Sequence, residues 1–267
     1  MVRCLELFSG THSVGKCCVE LGIDVVSVDL ELEADFKCDV MDFDYKQFPK
    51  DHFDIVWASP PCTYYSRLQN CWKGRRKKDG ILVTDETIEA NRLESDTLMR
   101  KTLEIIDYFS PPMWFLENPL SCLKDRDVMK GRFCHIVDYC KYSDWGYQKR
   151  TCIWTNKEEW TALTCKKDCE NMVDRQHKVV LANGYEIIDG KQVVCNTKEK
   201  RAIRRQHKLN VSKDVHTVGE TFGRKQHKTT ATGGSTKIKG EWVKKGTSNR
   251  LDRYRVPPNL IYSLLLE

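Results

Sequence analysis

Residues 54–66 read DIVWASPPCTYYS, an apolar run that halts at Pro60 and Pro61 and then presents a cysteine. Proline fixes φ and lacks an N–H, so two in succession end a sheet strand and hold the next residue in a set direction. Cys62 is thereby expected over a sheet edge, placed as a nucleophile. A thiol attacks only once it ionises, which calls for positive charge nearby, and Arg150 is the candidate. A second apolar run, MWFLEN at 113–118, ends in Glu117 and Asn118, setting a carboxyl group beside that thiol. Such a group suits hydrogen-bond donation to a ring nitrogen.

The elements that must position these groups alternate in type. RCLELF (3–8), DVVSVD (24–29), FDIVWAS (53–59) and MWFLEN (113–118) read as strands buried on both faces, as in a sheet covered by helices. SVGKCCVELG (13–22) and NRLESDTLMRKTLEIIDYF (91–109) have helical spacing. FCHIVDYC (133–140) and RTCIWT (150–155) are expected to add an antiparallel pair at the sheet edge. RYRVPPNLIYSLLLE (253–267) reads as an apolar helix that begins behind two prolines and packs back on the first domain.

In an open α/β sheet, ligands bind beyond the carboxyl ends of the strands. After the first strand comes FSGTHSVG, where Gly10 allows close backbone approach and the following helix is expected to offer free N–H groups. Asp29 follows the second strand, where an acidic residue binds ribose hydroxyls, and Asp39 in CDVMDF is a suitable acceptor for an adenine amino group. Together they point to an adenosine-containing cofactor.

At 267 residues and 40% hydrophobic, the chain is long enough for one large domain or a large one with a small partner. The absence of an 18-residue apolar stretch, and an N-terminus unlike a signal peptide, lead to the expectation of a soluble, cytoplasmic protein that meets no membrane. The 13 cysteines are read as reduced thiols. Charge is unevenly spread: residues 196–255 hold 17 Lys or Arg against 5 Asp or Glu, a local +12 in a chain of net +6. Such a block is expected to meet phosphate, with Arg205 and Lys208 among the contacts. Residues 158–250 differ in texture from the rest and read as a second module, hairpin-rich over 177–195. Cys165, Cys169, His177 and Cys195 come near metal-ligand spacing, but the spacing is irregular and no metal is assigned.

Taken in order, FSG, the acidic residue after the second strand, CDV, SPPC, ENP, QKR and RVPPNL resemble the ordered motifs of the cytosine-5 DNA methyltransferases. The resemblance covers residues 1 to about 155 and 250–267. It implies a Rossmann-like, S-adenosylmethionine-dependent methyltransferase sheet over 1–157, completed by 251–267, with a small basic target-recognition module over 158–250. Cys62 would be the nucleophile, Glu117 would meet the base, and Gln148 and Arg150 would steer thiol and base. Phe8, Gly10, Asp29, Asp39 and Pro60 would hold the cofactor. The partner implied is double-stranded DNA, taken by a monomer, with YYSRLQNCWKGRRKKDG (64–80) as a loop that closes over a flipped base through Ser66, Arg75, Arg76 and Lys77. RNA as the nucleic acid, or an idle DNA-binding protein on the same fold, are the rival readings. Three departures stand out. His12 and Ser13 occupy the second and third glycine positions of the first motif. Pro119 replaces a valine after Glu-Asn, and Cys152 replaces a second arginine after Arg150.

Overall fold

Four apolar runs do become parallel neighbours in one sheet. They are β1 (Arg3–Leu7), β2 (Asp24–Asp29), β4 (Ile55–Ala58) and β5 (Met113–Pro119). A two-residue strand, β3 (Phe36–Lys37), extends the sheet beyond β2. The computed structural model describes residues 1–77, 79–173, 176–177, 185–188, 191–194, 235–238, 241–244 and 255–267. With β6 (Cys134–Asp138) and β7 (Arg150–Thr155), the sheet has seven strands in the order β3-β2-β1-β4-β5-β7-β6. The first five strands run parallel, and β7 runs antiparallel to β5. The chain winds outward from β1 to β3, then returns to the other side of β1 for β4. The reversal therefore falls between β1 and β4, and their carboxyl ends frame the crevice where such sheets bind ligands.

Two helices follow the strands as the sequence predicts, with one boundary moved. α1 spans Ser13–Glu20, while α2 runs Asp85–Phe109 and so begins a turn and a half before the expected start. Thr84 explains the earlier start: its side chain accepts from the Thr87 N–H, and the Thr87 hydroxyl accepts from the Thr84 N–H. Asp85 and Glu86 in the first turn add favourable charge at the helix N-terminus. α3 (Pro258–Leu266) buries Leu260, Ile261 and Leu264, and its Tyr262 hydroxyl donates to Glu20 of α1. No helix among the described residues is long and apolar enough to cross a membrane.

By internal contacts the chain divides into two units. The first comprises 1–137, 150–163 and 260–267, and the second 138–149 and 164–259. The second unit contains the antiparallel pairs β8 (Met172–Val173) with β9 (Gln176–His177), β10 (Tyr185–Ile188) with β11 (Lys191–Val194), and β12 (Ser235–Ile238) with β13 (Glu241–Lys244). The β10–β11 pair falls within 177–195, the stretch read as hairpin-rich. The β12–β13 pair inside the basic block was not legible from its Lys- and Gly-rich composition. Arg205, Lys208 and Cys195 lie outside the described residues.

Candidate active site

The reversal point is built from a strained turn. Phe8, Gly10 and His12 all have positive φ, at 58°, 53° and 54°. A non-glycine side chain rarely adopts this conformation unless surrounding contacts impose it. His12 is held from two sides: its Nε2 lies 2.7 Å from the Glu33 carbonyl, and its Nδ1 lies 3.7 Å from Glu6. The Glu6 carboxylate beside it raises the His12 pKa above the ordinary imidazole value, so histidine here keeps the glycine-like backbone and adds an ionic tether.

Glu6 itself corrects one expectation. The N–H groups of α1 are not all open to a ligand, because Glu6 on β1 accepts from Val14 N at 3.2 Å and Gly15 N at 3.1 Å. Glu6 is 3% exposed, and a buried carboxylate must find donors; the uncapped helix N-terminus supplies them. Gly15 leaves room for this approach, since a Cβ there would stand 2.7 Å from Glu6 Oε2.

Asp29 sits where the sequence puts it, at the end of β2, and it shapes the turn as well. Its Oδ2 accepts from Gly10 N at 2.9 Å, and its Oδ1 accepts from the N–H groups of Glu31 and Leu32. Asp39 similarly accepts from Met41 N through one oxygen. Ser9 is 5% exposed, and its hydroxyl has no hydrogen-bond partner among the described residues. An unpaired buried hydroxyl in the turn at the reversal point is what a bound polar ligand would satisfy, so the Phe8–Gly10 turn with Asp29 fits a cofactor.

Across the crevice, Pro60 is buried and Cys62 is half-buried. β4 and β5 pair in register from Ile55 with Met113 to Ala58 with Leu116, which carries Ser59 and Pro60 alongside Glu117 and Asn118. A direct bond secures the match: Asn118 Nδ2 donates to the Pro60 carbonyl at 2.9 Å. Asn118 is fully buried and Glu117 5% exposed. Thus the two motifs singled out in the sequence are joined at their strand ends. Arg150 opens β7 on the far side of β5; its carbonyl accepts from Leu120 N, and its side chain is exposed. Since β7 is antiparallel, its first residue lies at the same sheet end as the Glu117–Asn118 pair. Cys152, in place of the second arginine, is fully buried opposite Asn118, a position where an arginine would need a buried partner. Gln148 is exposed and belongs to the second unit.

A buried ionic network that sequence reading missed fixes the chain just after Cys62. The Tyr65 hydroxyl donates to Asp96 Oδ1 at 3.0 Å, and Arg126 donates to Asp96 through Nε and Nη2 and to Glu89 through Nη1. Asp96 is 3% exposed and Tyr65 1%. Cys122 N adds a bond to the Tyr65 carbonyl, and Arg92 Nε reaches the Tyr64 carbonyl. Removing one partner of a buried ion pair leaves the other charged and uncompensated. Arg126→Met is therefore expected to destabilise the protein by about 3–5 kcal/mol in urea unfolding. A change below about 1 kcal/mol would place this network on the same footing as a surface ion pair.

Beyond Tyr65, the stretch 64–80 is tied down more than a closing loop suggests. Ser66 caps the short helix at Arg67–Trp72, accepting from Leu68 N. Gly74 N and Val83 N bond across to Val83 and Arg75 carbonyls, forming a small hairpin. Arg75, Arg76 and Lys77 are exposed on it, with Arg75 over the Trp72 ring and Arg76 donating to the Gly80 carbonyl.

Comparison with known proteins gives one curated relative and several solved structures. The chain is 42% identical over 181 residues to a Frog virus 3 (isolate Goorha) protein named "Probable DNA (cytosine-5)-methyltransferase", an alignment covering 64% of this chain and 79% of that one. Among solved structures, it is similar to the Dnmt2 methyltransferase of S. pombe, at 10% identity and a TM-score of 0.44 over 99% of this chain and 96% of that one. It is also similar to a candidate DNA modification methyltransferase from an E. coli prophage, at 15% identity and a TM-score of 0.38. That alignment covers 70% of this chain and 56% of the prophage protein, so the chain spans just over half of the latter's length. No family model matches the chain.

Proposed function

The chain belongs to the DNA (cytosine-5)-methyltransferase family, and on that premise we propose that it methylates carbon 5 of cytosine in duplex DNA through a covalent adduct with Cys62. The observation that carries this reading is the bond from Asn118 to the Pro60 carbonyl, which ties the thiol-bearing turn to the strand end bearing Glu117.

The difficulty of the reaction explains the residues. Carbon 5 of an aromatic cytosine is a poor nucleophile, so the ring must first lose its aromaticity. The Cys62 thiolate adds to carbon 6, forming a C–S bond and pushing electron density toward carbon 5 and N3. Glu117 donates a hydrogen bond at N3 as that negative charge develops, and a buried carboxyl group does so without competition from water. Arg150, at the same end of the sheet, favours the thiolate over the thiol. The Phe8–Gly10 turn with Asp29 and Asp39 would hold S-adenosylmethionine, which would supply the electrophilic methyl group. Once carbon 5 carries the methyl group, loss of its proton to water restores the double bond and expels the thiolate, leaving Cys62 as it began. Carbon 6 is inaccessible in a stacked duplex, so the base must swing out, at a cost of a few kcal/mol. The exposed Arg75, Arg76 and Lys77 are suited to hold the flanking phosphates.

Purified protein incubated with methyl-tritiated S-adenosylmethionine is expected to label duplex DNA, with the label mapped to cytosine by bisulfite sequencing. Label confined to a matched RNA, or none from folded protein that binds the cofactor, would overturn the assignment.

A further inference from the structure

The second unit contains four side chains that converge on one another. Cys140, Cys165, Cys169 and His177 bring their three sulfurs and a ring nitrogen within 4.8 Å of one another. All four are buried. The three cysteines are free thiols, so no disulfide accounts for the cluster. His177 Nε2 lies 3.6 Å from Cys165 Sγ and 3.4 Å from Cys169 Sγ. Zinc–sulfur bonds near 2.3 Å and zinc–nitrogen bonds near 2.05 Å, arranged tetrahedrally, separate a sulfur from a nitrogen by about 3.6 Å. The two distances bracket that value.

The surroundings have the form of a metal-binding turn. Lys167, with φ 66°, folds the chain back after Cys165, and its N–H donates to Cys165 Sγ at 3.3 Å. Two buried polar groups orient the ligand segments from behind. Asp138 accepts from Cys165 N at 2.7 Å, and Asn171 donates to the carbonyls of Cys140 and Ser143.

We propose that Cys140, Cys165, Cys169 and His177 bind one structural zinc ion that fastens segment 138–149 to segment 164–177. Three thiolates and one imidazole leave no open position, which is the signature of a structural rather than a catalytic centre. A tetrahedral sulfur–nitrogen set selects zinc over harder divalent ions. Among the described residues, the buried apolar cluster at the site comprises the three cysteines with Met172 against them, so the ion would reinforce a small core. The fourth ligand differs from the one that spacing suggests: Cys140, on the far side of β7, stands where Cys195 was expected.

Full-length protein purified under reducing conditions without added chelator is expected to carry about one zinc per chain by mass spectrometry of the metal. Cys140→Ser should lose at least about tenfold in zinc affinity, the usual loss when a site is perturbed, whereas Cys195→Ser should retain the metal. Should Cys140→Ser fail to fold, cobalt exchanged into the wild-type protein decides: tetrahedral d–d bands with thiolate charge transfer of three-sulfur intensity support the site. Metal lost in Cys195→Ser but kept in Cys140→Ser would overturn it. So would metal-free wild-type protein that gives no tetrahedral cobalt spectrum.

Discussion

Cys62→Ser is expected to remove methyl transfer to the limit of detection, a loss on the order of 10⁴-fold or more, as when the nucleophile of a covalent mechanism is deleted. The substitution exchanges sulfur for oxygen and keeps the side chain's shape. What changes is ionisation: a serine hydroxyl yields almost no alkoxide near neutral pH. DNA binding and cooperative unfolding should persist, because Pro60, Pro61 and the Asn118 bond that hold the turn are untouched. Cys71→Ser is the matched control. Cys71 is exposed, nine residues along the chain, and its loss should change the rate by no more than about twofold, the size of an ordinary surface perturbation. Rates from single-turnover assays with saturating cofactor separate the two cases.

Glu117→Gln is expected to lower kcat by about 100-fold or more, with DNA affinity nearly unchanged. Glutamine matches glutamate in shape and fits the same buried place at the end of β5, where Glu117 is 5% exposed. It still reaches the ring, but it cannot give up a proton as charge builds at N3, so the loss falls on the transition state and appears in kcat. An equal fall in DNA affinity with kcat retained would make Glu117 a binding residue instead.

Much of this arrangement was legible because the residues that converge lie at strand ends, and strand ends leave marks. Pro60-Pro61 stops an apolar run abruptly, and Glu117-Asn118 interrupts another with polar residues that a buried strand does not otherwise tolerate. β2 and β7 fall within the ranges the sequence predicts, at 24–29 and 150–155. What stayed hidden depends on contacts between distant segments. Glu6 looks like one polar residue in a strand, and only the fold shows that it caps α1 eight and nine residues later. One signal was present: a carboxylate in a run buried on both faces must have a donor somewhere. Asp96 and Arg126 are 30 residues apart and carried no such mark on an amphipathic helix and a loop. Cys140 illustrates the same limit, since β7 separates it from Cys165 and no local spacing rule spans that gap. Thr84 was missed for a smaller reason: a threonine capping a threonine lacks the glutamate that usually advertises a helix start. The proposed phosphate contacts Arg205 and Lys208 lie outside the described residues.

The covalent role of Cys62 is tested most directly by trapping. In an oligonucleotide carrying 5-fluorocytosine at the target position, fluorine at carbon 5 blocks the proton loss that would release the thiolate, so the enzyme should remain attached after one methyl transfer. The account predicts an adduct stable to denaturation that forms only with S-adenosylmethionine, maps by peptide mass spectrometry to Cys62, and disappears in Cys62→Ser. An adduct that maps to another cysteine, or methylation of ordinary DNA that survives Cys62→Ser, would contradict it.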